Sequence, residues 1–216
     1  MDFHQPVKRP TDRSVLYHLF PTPVYAAMVD NLDVVQSEID GVCDKLEFIY
    51  NPNFGQTHKL SAPSFKTNVI GEHNMVNFSE QIHKHIDHYL NAIEFEQSGY
   101  FNPEHPLKYD IVSSWITKFE KRDYAHIHNH GHCDISGVYY YKVGEDKDET
   151  GDLFFQSPVP SMITSFTFNH YAYKQCQIPQ VGKLLLFPAY LDHGVATNET
   201  GYDRMSLSFN ILFENR

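Results

Sequence analysis

Apolar residues follow two rhythms along this chain. In the first half they recur at alternating steps of three and four. Leu32, Val35, Ile39, Val42, Leu46 and Ile49 form one such stripe, which predicts a helix with Asp30 or Asn31 as its N-cap. Gly41 inside it lowers helix stability by about 1 kcal/mol. A second stripe, Ile82, Ile86, Leu90 and Ile93, predicts a helix over roughly residues 76–97, with His83, His85 and His88 on a polar face in solvent. Residues 1–14 show no period and read as a tail or strap. Residues 15–29 look extended, broken by Pro21 and Pro23, and residues 51–64 look like a loop.

From about residue 109 the rhythm changes to short β-branched and aromatic runs between turn signals. The runs are YDIVSSWITKF, ISGVYYYKV, GDLFFQ, MITSFTF, KLLLFPA, HGVAT and RMSLSFNILF. About seven strands at short spacing predict a sandwich or barrel, most often a jelly roll at this length. The acidic stretch 144–151 reads as an exposed hairpin loop. The expected plan is mainly β with flanking helices (α+β). A single domain spans 1–216. Residues from about 1 to 108 form a strap and helices packed on one sheet, and about 109–214 form the β core.

Composition narrows the partners. Seventeen Lys and Arg against 27 Asp and Glu give a formal net charge of -10. Nucleic acid and anionic membranes draw affinity from clustered cations, so neither is an expected partner. Cys43, Cys133 and Cys176 make no CxxC pair, which argues against a zinc ribbon or a disulfide framework. No apolar h-region opens the chain and no apolar stretch is long enough for a membrane span, so a cytoplasmic protein is expected. Strand edges leave a homodimer open.

The chemistry concentrates in YAHIHNHGHCD. His126, His128, His130 and His132 alternate, and residues i and i+2 of an extended segment share a face. Any adjacent pair can therefore bind one metal, and neutral imidazole suits Fe, Zn, Cu or Ni. His128 and His130 are preferred, because Gly131 to Asp134 can then turn into a hairpin with ISGVYYYKV. His126 with His128 remains open. His132 with Asp134 leaves no room for that turn. The third ligand expected from a distant strand is His193, just past the buried run Lys183 to Phe187 and Pro188. In the last strand Met205, Leu207, Phe209 and Ile211 take the core face. Arg204, Ser206, Ser208 and Asn210 take the other. If that polar face turns inward, Arg204 needs an anion, and a carboxylate fits its fork. Ser206 can add a hydrogen bond.

Together these elements resemble the 2-oxoglutarate/Fe(II)-dependent oxygenases, over about residues 109–213. They are His128-Asn129-His130, Ser136 to Tyr140, Gly182 to His193, and Arg204-Met205-Ser206. More narrowly they look like a branch in which His-x-His replaces the usual His-x-Asp. The resemblance implies a double-stranded β-helix (jelly roll, cupin-like). It implies Fe(II) held by His128, His130 and His193, which would be the catalytic residues. It implies 2-oxoglutarate as cosubstrate, with its far carboxylate on Arg204 and Ser206 and with Tyr140 in reach. Trp115 and Phe119 would line the same cavity or the core. The implied reaction is that of a dioxygenase: it uses O2 to hydroxylate a small-molecule or peptide substrate, with formation of succinate and CO2. Three neutral ligands leave the metal more positive than two His and a carboxylate, and a dianionic cosubstrate can offset that. Two rivals share the histidines: a cupin-type three-His dioxygenase that does not use 2-oxoglutarate, and a non-catalytic metal-binding jelly roll. The Glu that usually follows the cupin His pair is absent here.

Overall fold

The computed structural model describes residues 22–50, 57–61, 67–93, 108–144, 151–159 and 174–214, with the backbone of 7–8 and 15–16. Strands β1 (Val7–Lys8) and β2 (Val15–Leu16) pair with each other. Then come β3 (Tyr25–Met28), α1 (Leu32–Cys43), β4 (Ile49–Tyr50), β5 (Lys59–Leu60), α2 (Val69–Glu72) and α3 (Val76–Ala92). The second half holds β6 (Tyr109–Phe119), β7 (Ala125–His128), β8 (Ile135–Lys142), β9 (Leu153–Phe155), β10 (Gln175–Gln177), β11 (Lys183–Pro188), β12 (His193–Val195) and β13 (Arg204–Phe213).

Two antiparallel sheets face each other. The larger runs β3-β11-β8-β13-β6-β5-β4 and the smaller β10-β9-β12-β7. This is the jelly-roll, double-stranded β-helix arrangement. Alternation along each strand of the larger sheet builds two layers. Tyr139, Tyr141, Leu184, Leu186, Leu207, Phe209 and Ile211 point towards α1 and α3 and meet Val35, Ile39, Phe78, Ile82 and Ile86. Val138, Tyr140, Leu185, Phe187 and Phe119 point the other way and meet Ala125, Leu153, Phe155 and Val195 of the smaller sheet. Burying a large apolar side chain is worth roughly 1.5–3 kcal/mol, so the first layer alone anchors both helices. Gly182 makes the turn into β11 at φ +84, where a Cβ would lie 2.9 Å from Leu32 Cδ1.

Several expectations change. Helix α1 ends at Cys43, where Lys45 and Leu46 N–H groups bond three residues back to Val42 and Cys43 and tighten the last turn. Leu46 still packs on the core, but Ile49 lies in β4. Asn31 sits at the N-cap in the left-handed region (φ 50) and caps through its backbone oxygen, not its side chain. The stretch expected to loop contains β5, whose Leu60 pairs with Thr117 of β6. His85 is not in solvent: it is buried, with Nδ1 2.9 Å from Tyr25 Oη. No hairpin joins β7 to β8, because β7 pairs with β12 in the smaller sheet while β8 lies between β11 and β13 in the larger. Residues 129–134 cross from one sheet to the other. The run 162–168, most of 144–151, residues 94–97 and most of the N-terminal strap lie outside the described residues. Among the described residues no helix is long and apolar enough to cross a membrane.

Candidate metal centre

Strands β7 and β12 position the first two histidines. His128 and His193 are directly opposed in the antiparallel register, so their imidazoles leave the same face with ring centroids 4.5 Å apart. His130 lies just beyond β7, held by its N–H on Ala189 O at 2.7 Å, and its ring is 5.2 and 5.3 Å from the other two. One nitrogen from each ring can be chosen so that all three lie within 4.8 Å of one another.

Two of the rings have a defined tautomer. His128 Nδ1 is 2.8 Å from His126 O, and His193 Nδ1 is 2.9 Å from Leu191 O. A carbonyl only accepts, so both Nδ1 atoms carry hydrogen and both Nε2 atoms are bare. Burial, then His193 and His128, push the His130 pKa down to about 3, and burial, then His128, push that of His193 to about 4. Neutral imidazoles in this cluster fit a divalent transition metal. His126 and His132 are exposed and stand outside the cluster. Asp134 turns away: its carboxylate accepts the Phe213 N–H at 2.8 Å.

The same cavity, about 100 Å³, is lined by the inward face of β13: Arg204, Ser206, Ser208 and Asn210. Arg204 is only 4% exposed, yet Nε, Nη1 and Nη2 have no hydrogen-bond partner among the described residues. Its guanidinium is sandwiched at 5.0 Å from the Phe119 ring and 5.1 Å from the Tyr140 ring. Tyr140 is fully buried and its Oη is likewise without a hydrogen-bond partner. A buried cationic fork left open is costly unless an anion meets it, and the arrangement fits a carboxylate. Ser206 Oγ lies 2.7 Å from Thr117 Oγ1 across the β13–β6 pair. Trp115 and Phe119 both line the cavity, and Trp115 stacks parallel on His130 at 5.7 Å.

His58 belongs to this wall and sequence reading missed it. It stacks on Phe119 at 4.4 Å, and its Nδ1 lies 3.1 Å from Tyr124 O. Burial lowers its pKa to about 4. A lone His in a loop-like stretch carries no periodic signal that could have found it.

Residues 113–210 match the family model described as "Putative 2OG-Fe(II) oxygenase". No curated protein matches the sequence. Among solved structures, a Pseudomonas putida prolyl-4-hydroxylase is 15% identical, with a TM-score of 0.56 over 92% of this chain and 95% of that one. HygX from Streptomyces hygroscopicus, solved with nickel and 2-oxoglutarate, is 13% identical at a TM-score of 0.56, over 88% of this chain and 82% of that one. A Trichoplax adhaerens prolyl hydroxylase, solved with a hypoxia-inducible-factor peptide fragment, is 10% identical at 0.56, over 90% and 85%. At these identities the structures speak for the fold, and the family match speaks for the chemistry of the core. Residues 113–210, the strands that carry the histidine cluster and the open arginine, are thus similar to the 2-oxoglutarate/Fe(II) oxygenases, oxidoreductases that use Fe(II) and 2-oxoglutarate.

Proposed function

We propose that this chain is a 2-oxoglutarate-dependent dioxygenase whose Fe(II) is held by His128, His130 and His193. In this reading Arg204 and Ser206 hold the far carboxylate of the cosubstrate, and Tyr140 Oη donates to the same group. The observation that carries the proposal is the buried, hydrogen-bond-free guanidinium of Arg204 in the cavity that holds the three histidines. The bound pair supplies the oxidising chemistry: O2 and 2-oxoglutarate become succinate and CO2, and one oxygen atom enters a C–H bond of the substrate.

The chain's own contribution is positional. The carbonyls of His126 and Leu191 fix two ring tautomers and aim both Nε2 atoms. Phe119 and Tyr140 hold the guanidinium between two ring faces, so the fork is ordered before the ligand arrives. Leu153, Phe187 and Val195 form an apolar wall that keeps water from the reacting centre. Arg204 also speaks against a cupin dioxygenase without 2-oxoglutarate, since such an enzyme has no use for an open carboxylate clamp. Neighbouring structures with the same fold were solved with hygromycin B or with a peptide, so a small molecule or a peptide is the substrate class, hydroxylated with release of succinate.

The test is an anaerobic titration of the metal-free protein with Fe(II), then 2-oxoglutarate, following the weak visible charge-transfer band of the chelate. The band should need both additions and vanish in His128→Ala, His130→Ala and His193→Ala. Tight metal binding with no band would overturn the proposal in favour of a non-2-oxoglutarate or structural metal site.

A further inference from the structure

Two of the three histidines are oriented by their own strands, through carbonyls two residues back. The His130 ring has no such carbonyl among the described residues; the Asn210 side chain, from the neighbouring sheet, lines the same cavity within its reach. Asn210 sits on β13 between two other strands, opposite Ser113 of β6 and Ser136 of β8. Both serines point to the same face as Asn210. Ser136 Oγ donates to Asn210 Oδ1 at 2.8 Å, and Asn210 Nδ2 donates to Ser113 Oγ at 3.1 Å. All three side chains are buried. The amide is therefore clamped from both flanks, and its carbonyl oxygen keeps one lone pair to spare. The backbone adds a tie at the same point: Asp134 N–H bonds to Ile211 O at 2.9 Å, fastening the segment after His130 to the strand beside Asn210.

We propose that Asn210 is the positioning residue for His130: its Oδ1 accepts the ring N–H, fixes the tautomer and presents the other ring nitrogen, bare, to the metal. The Ser113–Asn210–Ser136 relay thus does for the third ligand what a backbone carbonyl does for the other two. The larger sheet thereby sets the geometry of a ligand that β7 and its crossing segment supply. Asn210 acts through His130 and does not touch substrate or metal. The inference rests on the three-histidine reading above.

The test uses Co(II) alone on the metal-free full chain, with affinity read from its visible absorption. Asn210→Ala should weaken Co(II) binding about 10- to 100-fold, the range for losing such an outer hydrogen bond. Asn210→Asp, which keeps an acceptor in place, should bind close to the unsubstituted protein. A role in packing alone would lower the melting temperature of the metal-free variants and leave Co(II) affinity untouched, and that result would overturn the inference while leaving the metal site standing. Failure of the unsubstituted protein to bind Co(II), or binding that survives His128→Ala, would overturn the metal reading itself and the inference with it. Should the variants not fold, long-range nitrogen–proton NMR of the unsubstituted protein reads the tautomer directly. A single neutral tautomer of His130 supports the assignment, and a mixture of both overturns it.

Discussion

The two faces of β13 were built for different ends. Met205, Leu207, Phe209 and Ile211 face α1 and α3 in a dry layer where apolar side chains interlock; Phe209 meets Phe78 edge to face at 6.2 Å. One residue away, Arg204, Ser206, Ser208 and Asn210 face a cavity. There Arg204 and Tyr140 keep polar atoms without hydrogen-bond partners among the described residues. The dry face has finished its interactions on folding. The inner face has not, and an unfinished buried cation is a demand for a ligand. Stability and binding are thus separated by one residue of register on a single strand.

That contrast can be broken from either side. The largest effect should come from the dry face: Phe209→Ala removes a fully buried ring, and denaturant unfolding should show a loss of about 3–5 kcal/mol. The inner face should respond differently. Arg204→Met removes a cation whose guanidinium nitrogens have no hydrogen-bond partner among the described residues, so the ligand-free protein should lose less stability than Phe209→Ala in the same experiment while losing 2-oxoglutarate binding. A smaller loss should follow Gly137→Ala, because a Cβ there would fall 2.1 Å from Phe209 Cζ, and such overpacking costs about 1–3 kcal/mol. The smallest effect is one of pH. His58 is pushed down to about 4 from the ordinary 6.5. Above pH 6.5 it is neutral both folded and unfolded. As pH falls from 6.5 towards 4, the unfolded chain takes up a proton that the folded chain refuses, so metal-free stability declines. His58→Gln should decline less steeply over that window, by the uptake of about one proton on unfolding at pH 5.

Much of the inner face was legible in the sequence because alternation is a two-residue code. The strict pattern from Arg204 to Ile211 gave both faces of β13, and the His-x-His spacing narrowed the cluster to adjacent pairs. What the sequence could not supply was partnership. Nothing in YAHIHNHGHCD says that its strand pairs with His193 rather than with ISGVYYYKV, so the expected hairpin was wrong although the turn after His130 was right. Register with β12, not a local turn, brings His128 and His193 together. The stripe from Leu32 to Ile49 overran α1 for a similar reason: Leu46 keeps its place on the core without a helix to carry it. His58 and the buried state of His85 depend on what packs against them, and short stretches of sequence do not record that.

The central claim is that the inner face of β13 binds a dicarboxylate by its far end. The direct measurement removes that end from the ligand as well as from the protein. Calorimetric titration under anaerobic conditions would compare 2-oxoglutarate with 2-oxobutanoate, which lacks the far carboxylate, on the Fe(II)-loaded protein and on Arg204→Ala. Two charge-assisted hydrogen bonds at about 1.5–3 kcal/mol each predict that 2-oxoglutarate binds the unsubstituted protein about 10²- to 10⁴-fold more tightly than 2-oxobutanoate. Arg204→Ala should erase most of that difference. Equal binding of the two ligands, or a preference that survives Arg204→Ala, would contradict the account.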